Sequence, residues 1–252
     1  MFELVSARTD LEAAPLWPST IVQQFGATLI VAPHPDDETL GCGGLLALLS
    51  EAGQAVRVLV ISDGTLSHPN SSRYPAPRLQ ALRESETLAG VAKLGIASDA
   101  VTFWAYRDRS VPGYDADGFA AAVARFQNYL REFKPTTICV PWRRDPHPDH
   151  RATTQIVRMA IMNTSPSPRL LEYLIWTWEL AQDSDYPTQA EAQVWRLDIN
   201  PVLVRKQAAI NCYRSQISDL IDDDPEGFRL SAQMLAHFER PWELFLENVS
   251  ND

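Results

Sequence analysis

Short β-branched runs alternate with longer leucine- and alanine-rich stretches along this chain, which is the pattern of an α/β protein built on a mostly parallel sheet. Two further observations support it. The runs at 28–32 and 136–140 stop at Pro33 and Pro141, as buried parallel strands do when they reach a loop. Each is followed by a histidine motif: Ala32-Pro33-His34-Pro35-Asp36-Asp37-Glu38 after the first, His147-Pro148-Asp149-His150 after the second. Open α/β sheets bind ligands beyond the carboxyl ends of their strands, so the two motifs are expected to converge.

The elements follow in order. Thr28-Leu29-Ile30-Val31-Ala32 is the first strand, and a leucine-rich helix follows over 39–53, with Thr39 as N-cap and Gly53 as stop. Residues 56–61 are the second strand, and a polar loop through Asp63, Gly64, His68 and Asn70 leads to a helix over 77–94. A third strand at 101–104, a helix at 119–133 and a fourth strand at 136–140 repeat the unit, and His150 opens the next helix. Further on, 170–178 and 194–199 read as strands and 202–213 as a closing helix, with His237 as a structural residue of the last amphipathic segment. Ser165-Pro166-Ser167-Pro168 is a local loop, and no repeat or linker divides the chain, so residues 1–252 are expected to form a single domain.

Composition narrows the function. With 22 basic and 32 acidic residues the net charge is −10, which repels phosphate backbones and excludes nucleic acid as the expected partner. The N-terminal stretch carries Glu3, Asp10 and Glu12 without an unbroken apolar segment, so neither a signal peptide nor a transmembrane segment is expected and a cytoplasmic location follows. Cys42, Cys139 and Cys212 lack CxxC spacing and read as reduced, buried thiols. Apolar residues from Tyr173 to Trp178 belong to the core or to a homo-oligomer interface.

The chemistry lies in the two motifs. A hydrolytic zinc takes three protein ligands and leaves a position for water, and His34, Asp37 and His150 supply that number of nitrogen and oxygen donors. Asp36 leaves the turn in a different direction from its neighbour and is the candidate general base. Zinc lowers the pKa of its water to about 7, within reach of such a carboxylate. His147, as an imidazolium, is placed to stabilise an oxyanion, with Asp149 orienting it. The prolines stiffen both loops. Arg83 is placed to bind a sugar hydroxyl or an anion, or else to pair with Glu84 and Glu86 on its own helix. Asp108, between Arg107 and Arg109, either hydrogen-bonds a polar substrate or belongs to a solvated charge run. Trp142, Arg143 and Arg144 offer an aromatic wall or rim packing. His68 is assigned to a flexible loop, and Asp222-Asp223-Asp224 to a solvated helix end, because it lacks the spacing of a calcium loop. Gly41, Gly43 and Gly44 miss the dinucleotide fingerprint and instead let their helix approach the sheet.

Pro33-His34-Pro35-Asp36-Asp37-Glu38 with Gly41-Cys42-Gly43-Gly44, and His147-Pro148-Asp149-His150, resemble the signatures of the LmbE-like (PIG-L) zinc-dependent N-deacetylases. The resemblance extends to Asp63-Gly64, Arg83, Glu86, Leu94-Gly95, Asp108, Lys206, Ser215 and Gln216. It implies a Rossmann-like three-layer α/β/α fold and removal of an acetyl group from an N-acetylglucosamine-type conjugate, a small-molecule partner. It assigns one zinc to His34, Asp37 and His150, the base to Asp36 and oxyanion assistance to His147. The alternatives are a di-metal phosphoesterase built on the same acids and histidines, and a sugar- or nucleotide-binding module that needs no base. Loops 63–76, 105–118 and 179–192 are expected to set specificity.

Overall fold

The computed structural model describes residues 11–162 and 164–248. In chain order the elements are β1 (Leu16–Trp17), β2 (Thr28–Ala32), α1 (Asp37–Glu51), β3 (Val56–Ser62), α2 (Ala76–Lys93), β4 (Val101–Tyr106), α3 (Phe119–Phe133), β5 (Thr137–Pro141) and α4 (Pro148–Ile161). After these come β6 (Arg169–Tyr173), α5 (Thr177–Leu180), β7 (Ala192–Asp198), α6 (Leu203–Ile210), α7 (Arg214–Ile217), α8 (Ala232–Phe238) and β8 (Trp242–Asn248). The strands form one sheet in the order β1-β7-β8-β6-β5-β2-β3-β4. Every pairing is parallel except those of β8, which runs antiparallel to β6 and β7.

The sheet is covered on both faces, which is why its central strands are apolar at every position. From β2, Ile30 and Ala32 enter one core with Leu45 and Leu46 of α1, Val91 of α2 and Ala209 of α6. Leu29 and Val31 enter the other with Phe126 of α3 and Ile156 and Val157 of α4. Three layers result, the expected α/β/α arrangement. Helix α1 is apolar all round because it touches α2, α6 and β8 as well as the sheet. Its glycines permit that approach: a Cβ on Gly41 would lie 2.3 Å from the Tyr173 ring, and one on Gly44 2.5 Å from Ile199.

The site's position follows from the topology. From β2 the chain winds outward through β3 to β4, then returns to the far side of β2 with β5. The strand order reverses between β2 and β5, whose paired residues include Thr28 with Thr137 and Ile30 with Cys139. Both histidine motifs leave from this crevice, where doubly wound sheets bind ligands.

Several expected elements differ. The first helix begins at Asp37, two residues before Thr39, with Asp36 as its N-cap. The run at 170–178 is not one strand; it ends at Tyr173, and α5 takes up Thr177–Leu180. Strands β1 and β8 were not expected, and the last amphipathic segment, with His237, is the short helix α8. Cys42 and Cys139 are buried as expected, but Cys212 is only half-buried; all three are free. Asp222, Asp223 and Asp224 are no solvated helix end: Asp223 accepts from Ser71 Oγ and the Arg73 amide, and Asp224 from the Asn70 amide, tying two loops together. No described helix is long and apolar enough to cross a membrane.

Candidate active site

The turn after β2 is unusual in its backbone. Asp36 has φ 127°, a region that residues with a side chain rarely adopt, at a cost of about 1–3 kcal/mol. Surrounding contacts hold it there. Its amide donates to Glu38 Oε2 at 3.1 Å, and Arg83 Nη2 donates to Pro35 O at 2.6 Å and Asp36 Oδ2 at 3.0 Å. Arg83 Nη1 is engaged by Gly64 O at 2.9 Å, so the guanidinium links the turns after β2 and β3. Glu38 is in turn held by Tyr213 Oη.

Three donor atoms meet beside this turn. His34 Nδ1, Asp37 Oδ2 and His150 Nε2 lie 3.2 Å from one another on every side. Ligands about 2.0–2.1 Å from one tetrahedral ion are separated by roughly 3.3 Å, so this triangle fits a single divalent metal such as zinc. Looser groupings also occur among the described residues, one of His34, His147 and His150 and one of His34, Asp108 and Asp149, with their donor atoms within 4.8 Å. The 3.2 Å triangle is the tighter set and mixes nitrogen with a carboxylate oxygen, the donor chemistry zinc accepts.

Carboxylates stand behind both histidines of the triangle. His34 Nε2 faces Asp149 Oδ2 at 3.3 Å and Asp108 Oδ1 at 3.4 Å, while His150 Nδ1 faces Asp145 Oδ1 at 3.3 Å. Such partners fix which ring nitrogen is free for a metal. They are themselves pinned. Asp149 accepts the amides of Arg109 and Val111, Asp108 accepts that of Leu66, and Asp145 accepts those of His147 and Trp176. Loops after β3, β4 and β5 thus converge on the two rings.

Charge is distributed accordingly. Burial opposes ionisation of Asp37, yet His150 and His34 hold it well below the usual carboxylate range. Despite burial, Asp37 and Asp145 raise His150 to about 9, and Asp108, Asp149 and Asp37 raise His34 well above its usual value. Asp36 goes the other way: burial, opposed by Arg83 and reinforced by Asp37 and Glu38, pushes it up to about 8. One site therefore contains one strongly acidic and one weakly acidic carboxyl on adjacent residues.

The sequence-predicted residues come together, with roles redistributed. Asp149 does not orient His147 through its carboxylate, which is given to His34; instead its amide donates to His147 Nδ1 at 3.2 Å. That bond makes Nδ1 an acceptor and leaves the ring's proton on Nε2. Burial and the nearby His34 and His150 charges lower His147 to about 3, so it is a neutral imidazole rather than the expected imidazolium. Arg83 does not pair with Glu84 or Glu86; it holds Asp36. Asp108 is no solvated charge run, being buried against His34. His68 is buried away from the triangle, against Ser67 Oγ at 3.2 Å, rather than on a flexible loop. Trp142 is fully buried, with Arg143 and Arg144 across its ring, so it packs the rim instead of walling the site. Asp145 was missed; its only sequence signal is an acid two residues before the second motif.

A cavity of about 610 Å³ opens over these groups, lined by His34, Asp36, Asp37, Arg83, Asp108 and His147 among others. Loops 63–76, 105–118 and 179–192 each contribute to it, through Leu66, Arg109 and Leu180, but so do Trp176, Gln216, Phe228 and Leu230 outside them. A cavity of about 590 Å³ near the end of α3 is lined by no histidine, cysteine or carboxylate.

Comparison with known proteins matches residues 29–161, from β2 to the end of α4, to the family profile described as PIG-L, GlcNAc-PI de-N-acetylase. The 2'-N-acetylparomamine deacetylase of Streptomyces fradiae is 28% identical over 210 residues, which cover 77% of this chain and 75% of that protein. Among solved structures, N,N'-diacetylchitobiose deacetylase from Pyrococcus horikoshii superposes with a TM-score of 0.63 at 23% identity, covering 85% of this chain and 78% of the other. GalB, the 4-carboxy-2-hydroxymuconate hydratase of Pseudomonas putida KT2440, superposes with a TM-score of 0.66 at 17% identity over 90% of this chain and 97% of its own. The two structural likenesses are likenesses of fold.

Proposed function

This chain belongs to the PIG-L family of GlcNAc-PI de-N-acetylases, and from that premise we propose that it is a zinc-dependent N-deacetylase that hydrolyses the acetamide of an N-acetylglucosamine-type conjugate, releasing acetate and a free amine. The observation that carries the reading is the 3.2 Å triangle of His34, Asp37 and His150 on the cavity, with Asp36 next to it in sequence and turned onto Arg83. One zinc per chain would be held by those three atoms, where it would polarise the amide carbonyl and acidify a water.

The chain's own residues supply the rest. Asp36 takes the proton from the attacking water and returns it to the amide nitrogen, so that the amine departs neutral. Its raised pKa suits a group that must hold a proton between the two transfers. Arg83 fixes the Asp36 carboxylate through Oδ2 at 3.0 Å, and Glu38 fixes its backbone. His147, with its proton on Nε2, donates to the carbonyl oxygen as negative charge develops there. Asp145, Asp149 and Asp108 position the ligand rings. The free thiols fit a reducing compartment, and a cytoplasmic location is part of the proposal.

The fold is shared with a protein named a hydratase, so the test must read the product itself. Purified protein incubated with N-acetylglucosamine conjugates should release acetate and contain about one zinc per chain. Asp36→Asn should keep the metal and lose turnover; His150→Ala should lose both. Loss of the metal in Asp36→Asn would mean that Asp36 is a ligand. Phosphate release with two metals bound would replace this reading by the phosphoesterase.

A further inference from the structure

One wall of the catalytic cavity has no counterpart in the chemistry above. It begins beyond His147 at Trp176, whose ring stacks on that histidine at 6.2 Å and 24°, continues to Phe228, which meets Trp176 edge-on at 5.2 Å, and includes Leu66, Leu230 and Leu180. Leu180 is 60% exposed, one of few large apolar side chains so exposed among the described residues. The wall is built rather than loose. The Phe228 amide donates to Ser67 O at 2.6 Å and the Leu230 amide to Gln216 O at 2.8 Å, which fixes the segment that presents both side chains. Asp224 at the start of that segment is tied to the Asn70 amide at 2.8 Å.

A sugar does not explain this surface. Its CH faces can stack on Trp176, but hydroxyls pressed against Leu66, Leu180 and Leu230 would lose water without gaining a hydrogen bond. The cavity of about 610 Å³ also falls in the range that encloses drug-sized molecules, and a lone N-acetylated hexose is smaller than that. The geometry points to an apolar aglycone: the substrate is an N-acetyl amino sugar whose glycosidic substituent is an alkyl or aryl group lying along Trp176, Phe228 and Leu180. This rests on the deacetylase reading, in which the group at the reacting carbonyl is only an acetyl and the aglycone is the part of the substrate left to occupy the wall beyond His147.

The test is a chain-length series, the methyl, butyl and hexyl glycosides of N-acetylglucosamine, offered to the zinc-loaded protein with acetate release as the readout. kcat/KM should rise about tenfold or more from methyl to butyl, because each buried methylene is worth roughly threefold to fourfold. In Leu180→Ser and Phe228→Ser proteins the hexyl-to-methyl ratio should fall about tenfold. The same series is measured for binding to Asp36→Asn by calorimetry, where the dissociation constants should show the same gradient. A flat series in both assays overturns the apolar subsite, as does a gradient that both wall variants leave untouched. N-octanoylglucosamine binding more tightly than N-acetylglucosamine while the alkyl glycosides stay equal overturns it too, by placing the acyl chain on the wall. If no glycoside yields acetate but the binding gradient is present and wall-dependent, the subsite stands and the deacetylase reading fails.

Discussion

Helix α1 carries two clusters of buried charge, one at its N-terminus and one at its middle, and they are built on opposite rules. At the middle, Glu243 from β8 receives Lys206 Nζ at 2.7 Å and the Gly44 and Leu45 amides at 2.6 and 2.8 Å. Both oxygens are spent and neither side chain lines the catalytic cavity; Lys206 and Glu243 are 1% and 4% exposed. At the N-terminus, Asp37 and His150 are as deeply buried, yet they and His34 crowd three donor atoms within 3.2 Å at the edge of a cavity. Burial of charge is therefore common to both. What marks the functional one is convergence of lone pairs that no protein group closes off, together with a strained residue, Asp36, that the surroundings force into place.

That contrast can be broken by substitutions at each cluster. Asp36→Asn is expected to lower turnover by about 10²–10⁴-fold, the usual range for a positioned acid–base group, while leaving thermal stability and metal content close to those of the parent. Acetate release alongside metal analysis would check it. Lys206→Met should do the reverse, costing about 3–5 kcal/mol of stability by leaving Glu243 buried without its cation. Urea unfolding measures that loss. Should Lys206→Met unfold at the parent's midpoint yet lose turnover, the sealed cluster would belong to the catalytic apparatus and the contrast would fail.

A smaller effect tests the carboxylates behind the two histidines proposed to hold the metal. Asp145→Asn removes the acceptor charge 3.3 Å from His150 Nδ1, and metal affinity should fall about 10–100-fold, the typical result of losing such a partner. Competition with a chromogenic chelator reads it directly. Asp149→Asn, opposite His34 Nε2, should weaken binding by a similar factor and also loosen the loop holding Arg109 and Val111. Equal affinity in both variants would mean that the rings are oriented by packing alone.

The same clusters show what could be read before the fold was known. The convergence of His34, Asp36, Asp37 and His150 was suggested by two proline-bearing motifs that each follow a strand, where residue type and spacing already constrain the chemistry. Asp145 was not, since its importance comes from a ring five residues away in chain and from the Trp176 amide across a loop. Roles also moved for a physical reason: Asp149 sits at the first turn of α4, so its amide, not its carboxylate, faces His147. Strand β8 escaped because a charged residue, Glu243, occupies an inward position and breaks the apolar pattern, its cost offset by Lys206 from a helix more than thirty residues earlier. The strand expected over 170–178 fails where the Trp176 amide turns to reach Asp145, a tertiary contact with no local signal.

The smallest expected effect is the count of protons. Without metal, His150 is raised from 6.5 to about 9 and His34 is raised in the same direction, so both rings are charged near pH 7. A group raised on folding contributes stability fully below its unfolded value and loses it as pH climbs through the folded one. Metal-free protein should accordingly lose stability from about pH 6.5 to about 9 as His150 discharges, on top of the loss from 3.8 to about 8 as Asp36 ionises. Metal binding needs the deprotonated rings, and each ion bound near pH 7 should displace roughly one to two protons, with affinity rising as pH increases. Calorimetry in buffers of different ionisation enthalpy gives the number. Zero protons released would mean that the rings are already neutral, and that Asp37, Asp108 and Asp145 orient them without charging them.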